Sequence, residues 1–248
     1  MDGQFDFVLY SAVADPAFAS GQKGMLHVDY WFQHGQAKWP AGSIMTPYIG
    51  SHDTSRFATL ADYRGQDAAH DPSIPGNQWS NTAVAPTDGE PYRRARIAMP
   101  WLINLPGAPL LYYGDEYGQW GGADPNNRQM WRPPAQLSAD ETATLSLVRK
   151  LGQARKSLVP LRRGAYTTLS ATDDTLVFGR KIAQGNAAIV AVTRLGTGDT
   201  PTFDVLASLG FSAGTVLHDA LGGPDVTVAA NGTLTLSLQP SAAMVLHP

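Results

Sequence analysis

The sequence predicts an α/β fold with a parallel sheet, followed by an all-β antiparallel unit. Three observations carry this. Two short apolar runs, at 44–49 and 110–113, flank a helical stretch at 92–105. Strand, crossing helix and strand make the βαβ unit of a parallel sheet. A long amphipathic stretch at 138–158 opens on Ser138-Ala139-Asp140-Glu141, a capping box. Beyond Pro160 the chain breaks into short β-rich runs separated by turn residues. The expected division is therefore 1–159 for the α/β unit and 160–248 for the β unit.

Composition sets the limits. The 248 residues are 43% apolar, with 25 Gly and 18 Pro, an ordinary globular balance. Net charge is -3 and no Lys/Arg run stands out, so a nucleic-acid partner is not expected. With no cysteine there is neither a disulfide framework nor a thiolate metal site. No apolar run reaches membrane-spanning length, so no membrane partner is expected. The first residues carry no basic segment followed by an apolar one, so no signal peptide is read in this stretch. Cytoplasmic and secreted bacterial locations remain equally open.

In order, residues 1–7 alternate enough for a strand, with Phe5 and Phe7 on one face. Residues 8–38 read as mostly helical, interrupted at Gly21 and Gly24. His27 and His34, seven apart, are read as packed or solvated rather than as ligands. Trp39-Pro40-Ala41-Gly42 is a turn. A polar loop of unusual length follows at 61–91, rich in Pro and Gly, and loops of that size are often functional. Trp79 within it either stacks on a sugar ring or pins the loop; pinning is the expectation. The helix at 92–105 has Ala95, Ala98, Met99, Leu102 and Leu105 on its apolar face, with Pro100 expected to kink it or shift its end. In the 138–158 helix, Leu147, Leu151, Ala154 and Leu158 form the stripe, and Pro160 ends it. Seven short strands are expected afterwards, with Gln184-Gly185-Asn186 and Asn231-Gly232 as hairpin turns, which reads as a small antiparallel sandwich.

Chemistry concentrates after the first apolar run, at Gly50-Ser51-His52-Asp53-Thr54-Ser55-Arg56. A strand ending in His-Asp presents an imidazole and a carboxylate at its C-terminal tip, where sites in parallel β/α folds are built. The second run leads into Gly114-Asp115-Glu116 and then Gly121-Gly122-Ala123-Asp124-Pro125-Asn126-Asn127-Arg128.

These three stretches, with Pro106-Gly107-Ala108-Pro109 ahead of the second run, resemble the α-amylase superfamily of glycoside hydrolases in order and spacing. The resemblance implies a partial (β/α)8 TIM barrel, from about strand 6 to strand 8 with its helices, followed by a β-sandwich. It implies that Asp53 is the carboxylate that stabilises the transition state and that His52 binds hydroxyls of the same sugar. Asp124 and Arg128 would grip the next glucose unit, and a loop salt bridge between them is compatible with that role. Asp115 and Glu116 are expected to shape the strand tip.

The resemblance also implies what is missing. A retaining glycosidase needs a nucleophile and a general acid. Neither motif is found, and Asp2 and Asp6 lie in no matching motif. The expectation is a C-terminal portion of an α-glucan-active hydrolase, inactive alone, whose missing N-terminal barrel part lies in a longer parent or in a complementing chain. The alternatives are a non-catalytic carbohydrate-binding or accessory protein, or a transglycosylase such as a trehalose synthase-like enzyme. No cofactor is expected in these residues. Calcium is allowed in a full-length parent, with ligands elsewhere.

Overall fold

The computed structural model describes residues 2–64 and 67–248. Met1, the first residue of the expected N-terminal strand, and residues 65 and 66 of the long loop lie outside the described residues.

β1 (Gly3–Phe5) and β2 (Ile44–Thr46) pair in parallel. Their crossover runs through α1 (Phe7–Val13), a π-helical turn at Ala14–Ala19 and α2 (Met25–Lys38). The strand expected to reach residue 7 stops at Phe5, because Asp6 caps α1: its carboxylate accepts the Leu9 N–H at 3.0 Å. Phe7 is thus helical rather than alternating with Phe5. β2 is likewise shorter than expected and stops before Pro47.

The chain returns through α3 (Phe57–Asp62), the long loop and α4 (Glu90–Asn104). The strand expected at 110–113 does not form a ladder. Instead Ala108 N–H donates to Met45 O and Leu110 N–H to Pro47 O, both at 2.9 Å. β1 uses the opposite edge of β2, through Ile44 N–H and Thr46 O, so the order is β1, β2, then this extended segment. The return bond of a parallel ladder would need an N–H at residue 47, and proline has none.

α4 is the central helix, buried on nearly every side; Trp101 and Leu102 are inaccessible. Pro100 sits inside it without ending it. Its last carbonyls are taken by two arginines. Arg155 Nη1 donates to Ile103 O and Leu105 O at 2.8 and 3.1 Å, and Arg180 Nη1 donates to Asn104 O. These groups have no partner within a helix, so cationic donors suit them.

α5 (Ala139–Ser157) starts on the expected capping box, with both reciprocal bonds present between Ser138 and Glu141. Pro160 does not terminate it directly but sits in the first turn of a short α6 (Val159–Arg163).

From residue 165 the chain is mostly antiparallel sheet. β3 (Ala165–Ala171), β4 (Thr175–Lys181), β5 (Ala187–Thr193), β7 (Val216–Asp219), β8 (Val226–Thr227) and β10 (Ala243–His247) form one six-stranded sheet in the order β3-β4-β5-β10-β7-β8. β6 (Thr202–Asp204), a strand not anticipated, pairs with β9 (Thr233–Thr235), and the short α7 (Leu206–Leu209) follows β6. Gln184-Gly185-Asn186 joins β4 to β5 as the expected hairpin, with Gly185 at φ +97°. Asn231-Gly232 also turns the chain, with Gly232 at φ +83°, but β8 and β9 on either side of it pair with β7 and β6, so it is not a hairpin. Glycine takes such angles with least strain.

β4 and β5 are buried on both faces. Leu176, Phe178, Ala188, Val190 and Val192 pack with α4 and the helices into one core. Val177, Ile189 and Ala191 pack with Phe203, Leu209 and Leu234 into a second. Period-2 alternation therefore divides one sheet between two cores, and both faces of the strand read as apolar. Among the described residues, no helix is long and apolar enough to cross a membrane.

Candidate functional site

The site begins where β2 and its extension run out. At Ser51–Thr54 the chain folds into a tight turn: Ser51 N–H donates to Thr54 Oγ1 at 2.8 Å, and Asp53 N–H donates to Ser51 Oγ at 3.2 Å. Hydroxyls that bond their own backbone in this way stabilise turns. The turn leaves His52 and Asp53 facing solvent, with side chains 55% and 62% exposed and His52 Nε2 3.3 Å from Asp53 Oδ2.

The second loop supplies the other side. Arg128 Nη2 lies 2.8 Å from Asp124 Oδ1 and 3.9 Å from Asp53 Oδ1. The same guanidinium donates to His52 O through Nε at 3.3 Å and Nη2 at 3.2 Å. All four residues singled out by sequence therefore lie in one cluster, and Asp124 and Arg128 do form a salt bridge. The Asp124–Pro125 peptide is cis.

Below the exposed cluster lies a buried support. Asn127 is inaccessible, and its Nδ2 donates to His52 O at 2.9 Å and Thr54 O at 2.7 Å. Arg56, also inaccessible, reaches Asn127 O at 2.7 Å, Tyr113 O at 2.6 Å and Asp115 Oδ1 at 3.1 Å. Its guanidinium lies 4.1 Å from the centre of the Tyr112 ring and 4.7 Å from that of Tyr113. Burial pushes the Asp115 carboxyl up to about 6, against the opposing pull of Arg56 and the Tyr112 N–H. Glu116 accepts from Gly114 N–H at 2.7 Å and from the Trp131 indole at 2.8 Å. Both acidic residues hold the loop that stands where a strand tip was expected.

The long loop is fastened to the same place. Gln78 Nε2 donates to Asp124 O and Asn126 Nδ2 to Gln78 O, each at 2.8 Å. Ala123 N–H donates to Pro72 O at 2.9 Å. A cavity of about 340 Å³ opens between the two loops, lined by Tyr10, Asp53, Thr54, Ser73, Gln78 and Asp124 among others. Trp79 does not pin this loop. Its side is 72% exposed, and the neighbouring Gln78 makes the tie instead.

Asn127, Gln78 and Tyr10 were not singled out by sequence. Asn127 stood inside the Asp124 loop, but nothing in a linear pattern tells a buried Asn127 from its neighbour Asn126. Gln78 and Tyr10 carried no signal at all. Among the described residues no group of three or more His, Asp or Glu is placed to hold a metal ion. His27 Nε2 lies 3.0 Å from Ala12 O, and His34 stacks on Tyr30, which agrees with their reading as packed residues.

The cluster combines a carboxylate, an imidazole and a guanidinium–carboxylate pair beside the cavity that Asp53 and Asp124 help to line. Such groups accept from and donate to vicinal hydroxyls.

No family model matches the chain. It is 30% identical over 187 residues to an amylopullulanase of Thermoanaerobacter thermohydrosulfuricus, a match covering 73% of this chain and 12% of the relative. It is 32% identical over 152 residues to a cyclomaltodextrin glucanotransferase of Paenibacillus macerans, covering 59% of this chain and 20% of the relative. The crystal structure of an α-amylase from Geobacillus thermoleovorans in complex with acarbose matches with a TM-score of 0.77 at 22% identity, covering 99% of this chain and 48% of that one. An Anoxybacillus α-amylase matches with a TM-score of 0.75 at 23% identity, covering 100% of this chain and 48% of that one. The chain thus spans about half the length of these solved structures and less of the curated relatives. With the three motif stretches clustered and these relatives in hand, the chain belongs to the α-amylase superfamily of glycoside hydrolases.

Proposed function

We propose that these residues form one wall of an α-glucan site, belonging to a retaining glycoside hydrolase whose remaining barrel strands are supplied from elsewhere. One observation carries the reading: Asp53, His52, Asp124 and Arg128 converge on one solvent-facing cluster, with Arg128 bridging the two carboxylates at 2.8 and 3.9 Å. In this reading Asp53 hydrogen-bonds the hydroxyls of the sugar whose bond is cleaved and favours its distortion toward the oxocarbenium-like transition state. His52 binds the same ring, and Asp124 with Arg128 binds the next glucose. Maltose, maltotriose and acarbose accompany solved structures of similar fold, which supports an α-glucan as partner. Both amylopullulanases and glucanotransferases are among the relatives. The shared step is therefore cleavage of an α-glucosidic bond, with water or a sugar as acceptor.

The proposed architecture is the strand 6 to strand 8 portion of a (β/α)8 barrel in 1–159 and a sandwich in 160–248. The parallel order β1, β2, 108–110 and the antiparallel sheet after residue 165 support it. Three barrel positions cannot close a barrel. Asp6, the acidic residue beside β1, is spent on capping α1. Nucleophile and general acid are accordingly assigned to the missing part.

The test is turnover of maltooligosaccharides by the purified 248 residues. None is expected. Reducing-end release that disappears in Asp53→Ala would overturn the assignment of nucleophile and acid to other residues. Glucan binding without turnover, even after the missing strands are restored, would favour the accessory-protein alternative.

A further inference from the structure

Away from the Asp53 cluster, a pocket of about 200 Å³ opens between the turn near Gly21, the start of α2, the first turns of α4 and the corner of the sheet at Asp174 and Arg194. It lies below the roughly 300 Å³ at which organic-ligand sites begin. Its walls are unusually cationic. Arg93 and Arg94 both hold the single carboxylate of Glu90, through Arg93 Nη2 at 2.6 Å and Arg94 Nε at 2.8 Å, and Arg64 stands 4.0 Å from it. Across the pocket Arg194 Nε holds Asp174 at 2.8 Å and Arg194 Nη1 donates to Lys23 O at 2.7 Å. The three guanidinium groups that line the pocket therefore share two carboxylates, while Arg64, outside the lining, also faces Asp62. Asp173, which crowds Gly24, and Lys23 add one charge of each sign nearby.

Arg94 and Arg194 are each less than a third exposed, at 19% and 25%. Gly21 lets them come together. A Cβ there would stand 2.8 Å from Arg94 Nη1, and φ is +73°. Among the described residues Arg94 Nη2 and Arg194 Nη2 make no hydrogen bond. Burial lowers the hold of Arg94 on its proton, with Arg64 and Arg93 acting in the same direction and Glu90 against. An excess of half-buried, donor-rich positive charge is costly unless an acceptor-rich anion pairs with it.

We propose that this pocket is an anion site for a phosphate-type oxyanion, gripped by Arg94 from α4 and Arg194 from the end of β5. A bound oxyanion there ties the helical layer to the antiparallel sheet, so its effect is read as stability. Its source is either free inorganic phosphate or the phosphate group of a sugar phosphate whose ring stays at the mouth.

The experiment is thermal unfolding of the 248-residue chain in sodium phosphate against sodium chloride of matched ionic strength, with glucose 6-phosphate as a further arm. A saturable rise is expected, on the order of 5 °C at a hundredfold excess over Kd. It should be lost in Arg94→Gln and in Arg194→Gln and kept in Arg163→Gln, an exposed control. Phosphate also stabilises proteins generally by exclusion from their surface, but that effect neither saturates nor depends on one arginine. Because each variant is compared with itself in the two salts, a lower starting Tm does not obscure the result. Phosphorus NMR line broadening on adding protein, absent with Arg94→Gln, provides the second readout. Tighter saturation by glucose 6-phosphate than by phosphate assigns the site to a sugar phosphate, and equal saturation assigns it to the free ion. A rise that does not saturate, or one that survives Arg94→Gln, overturns the site.

Discussion

Asn127 and His52 are 75 residues apart, yet the Asn127 side-chain amide donates to the His52 carbonyl at 2.9 Å from a fully buried position. A second bond from the same nitrogen reaches Thr54 O at 2.7 Å. One amide thus fixes the backbone on both sides of Asp53. Removing it takes the side-chain donor from Thr54 O and leaves His52 O only the longer bonds from Arg128. An unpaired carbonyl out of water costs about 1–3 kcal/mol. Asn127→Ala is expected to cost roughly 2–4 kcal/mol in urea unfolding. Asn127→Asp, though isosteric, offers acceptors to acceptors and should cost at least as much. An Asp variant as stable as the parent would show that shape rather than donation holds the turn.

Asp53 presents the opposite balance. Its carboxylate is 62% exposed and its neighbours are a histidine and an arginine at the rim. Asp53→Asn should therefore leave the unfolding midpoint nearly unchanged. In an enzyme restored with the missing strands, the same change should lower turnover by orders of magnitude while leaving part of the glucan affinity. Bonds realised mainly in the transition state behave in that way. A loss in kcat below tenfold would remove Asp53 from the role proposed for it.

The buried Arg56–Asp115 pair makes a prediction about pH. Burial raises the Asp115 carboxyl to about 6, above its value in an unfolded chain near 3.9. Between those values the folded state holds a proton that the unfolded state has lost. Stability from this group is therefore fully present below about 4 and falls as pH rises to about 6. Thermal unfolding across pH 4–7 should show this falling component, and Asp115→Asn should flatten it even though the variant is less stable throughout. An unchanged slope in the variant would place the proton elsewhere.

Much of the architecture follows from local patterns that can be read in one dimension. The capping box at Ser138 and Glu141, the turn glycines 185 and 232, and the doubly apolar strands β4 and β5 each leave a signature within a few residues. What escaped detection depends on partners far along the chain. The segment at 110–113 looks like a strand until Pro47 is placed beside it, where the missing N–H breaks the ladder. Arg180 sits in a β run but is inaccessible, donating to Asn104 O and Gly164 O. A charge in a strand pattern gives no hint of such carbonyls. At the site, the residues that face solvent stood in motifs, while Asn127 and Gln78, which position them, could be recognised only once the two loops were brought together.

Trp79 is where the expectation and the structure part most clearly, and the difference is measurable. An indole that pins a loop is buried and costs several kcal/mol to remove, about 3–5 for a core aromatic. The Trp79 side is mostly exposed, and the loop is instead tied through Gln78 to Asp124 O and through Asn77 Nδ2 to Asp71 O at 3.0 Å. Trp79→Ala is therefore expected to change stability by no more than about 0.5 kcal/mol, the usual range for surface substitutions. Gln78→Ala removes a buried side chain with its bond to Asp124 O and the bond it accepts from Gly76 N–H at 2.6 Å, leaving the Asn126 bond to the Gln78 backbone carbonyl, and should cost roughly 1–3 kcal/mol. Urea unfolding of the two variants side by side decides the matter. If Trp79→Ala proves the more damaging, the indole rather than the amide holds this loop over the cavity.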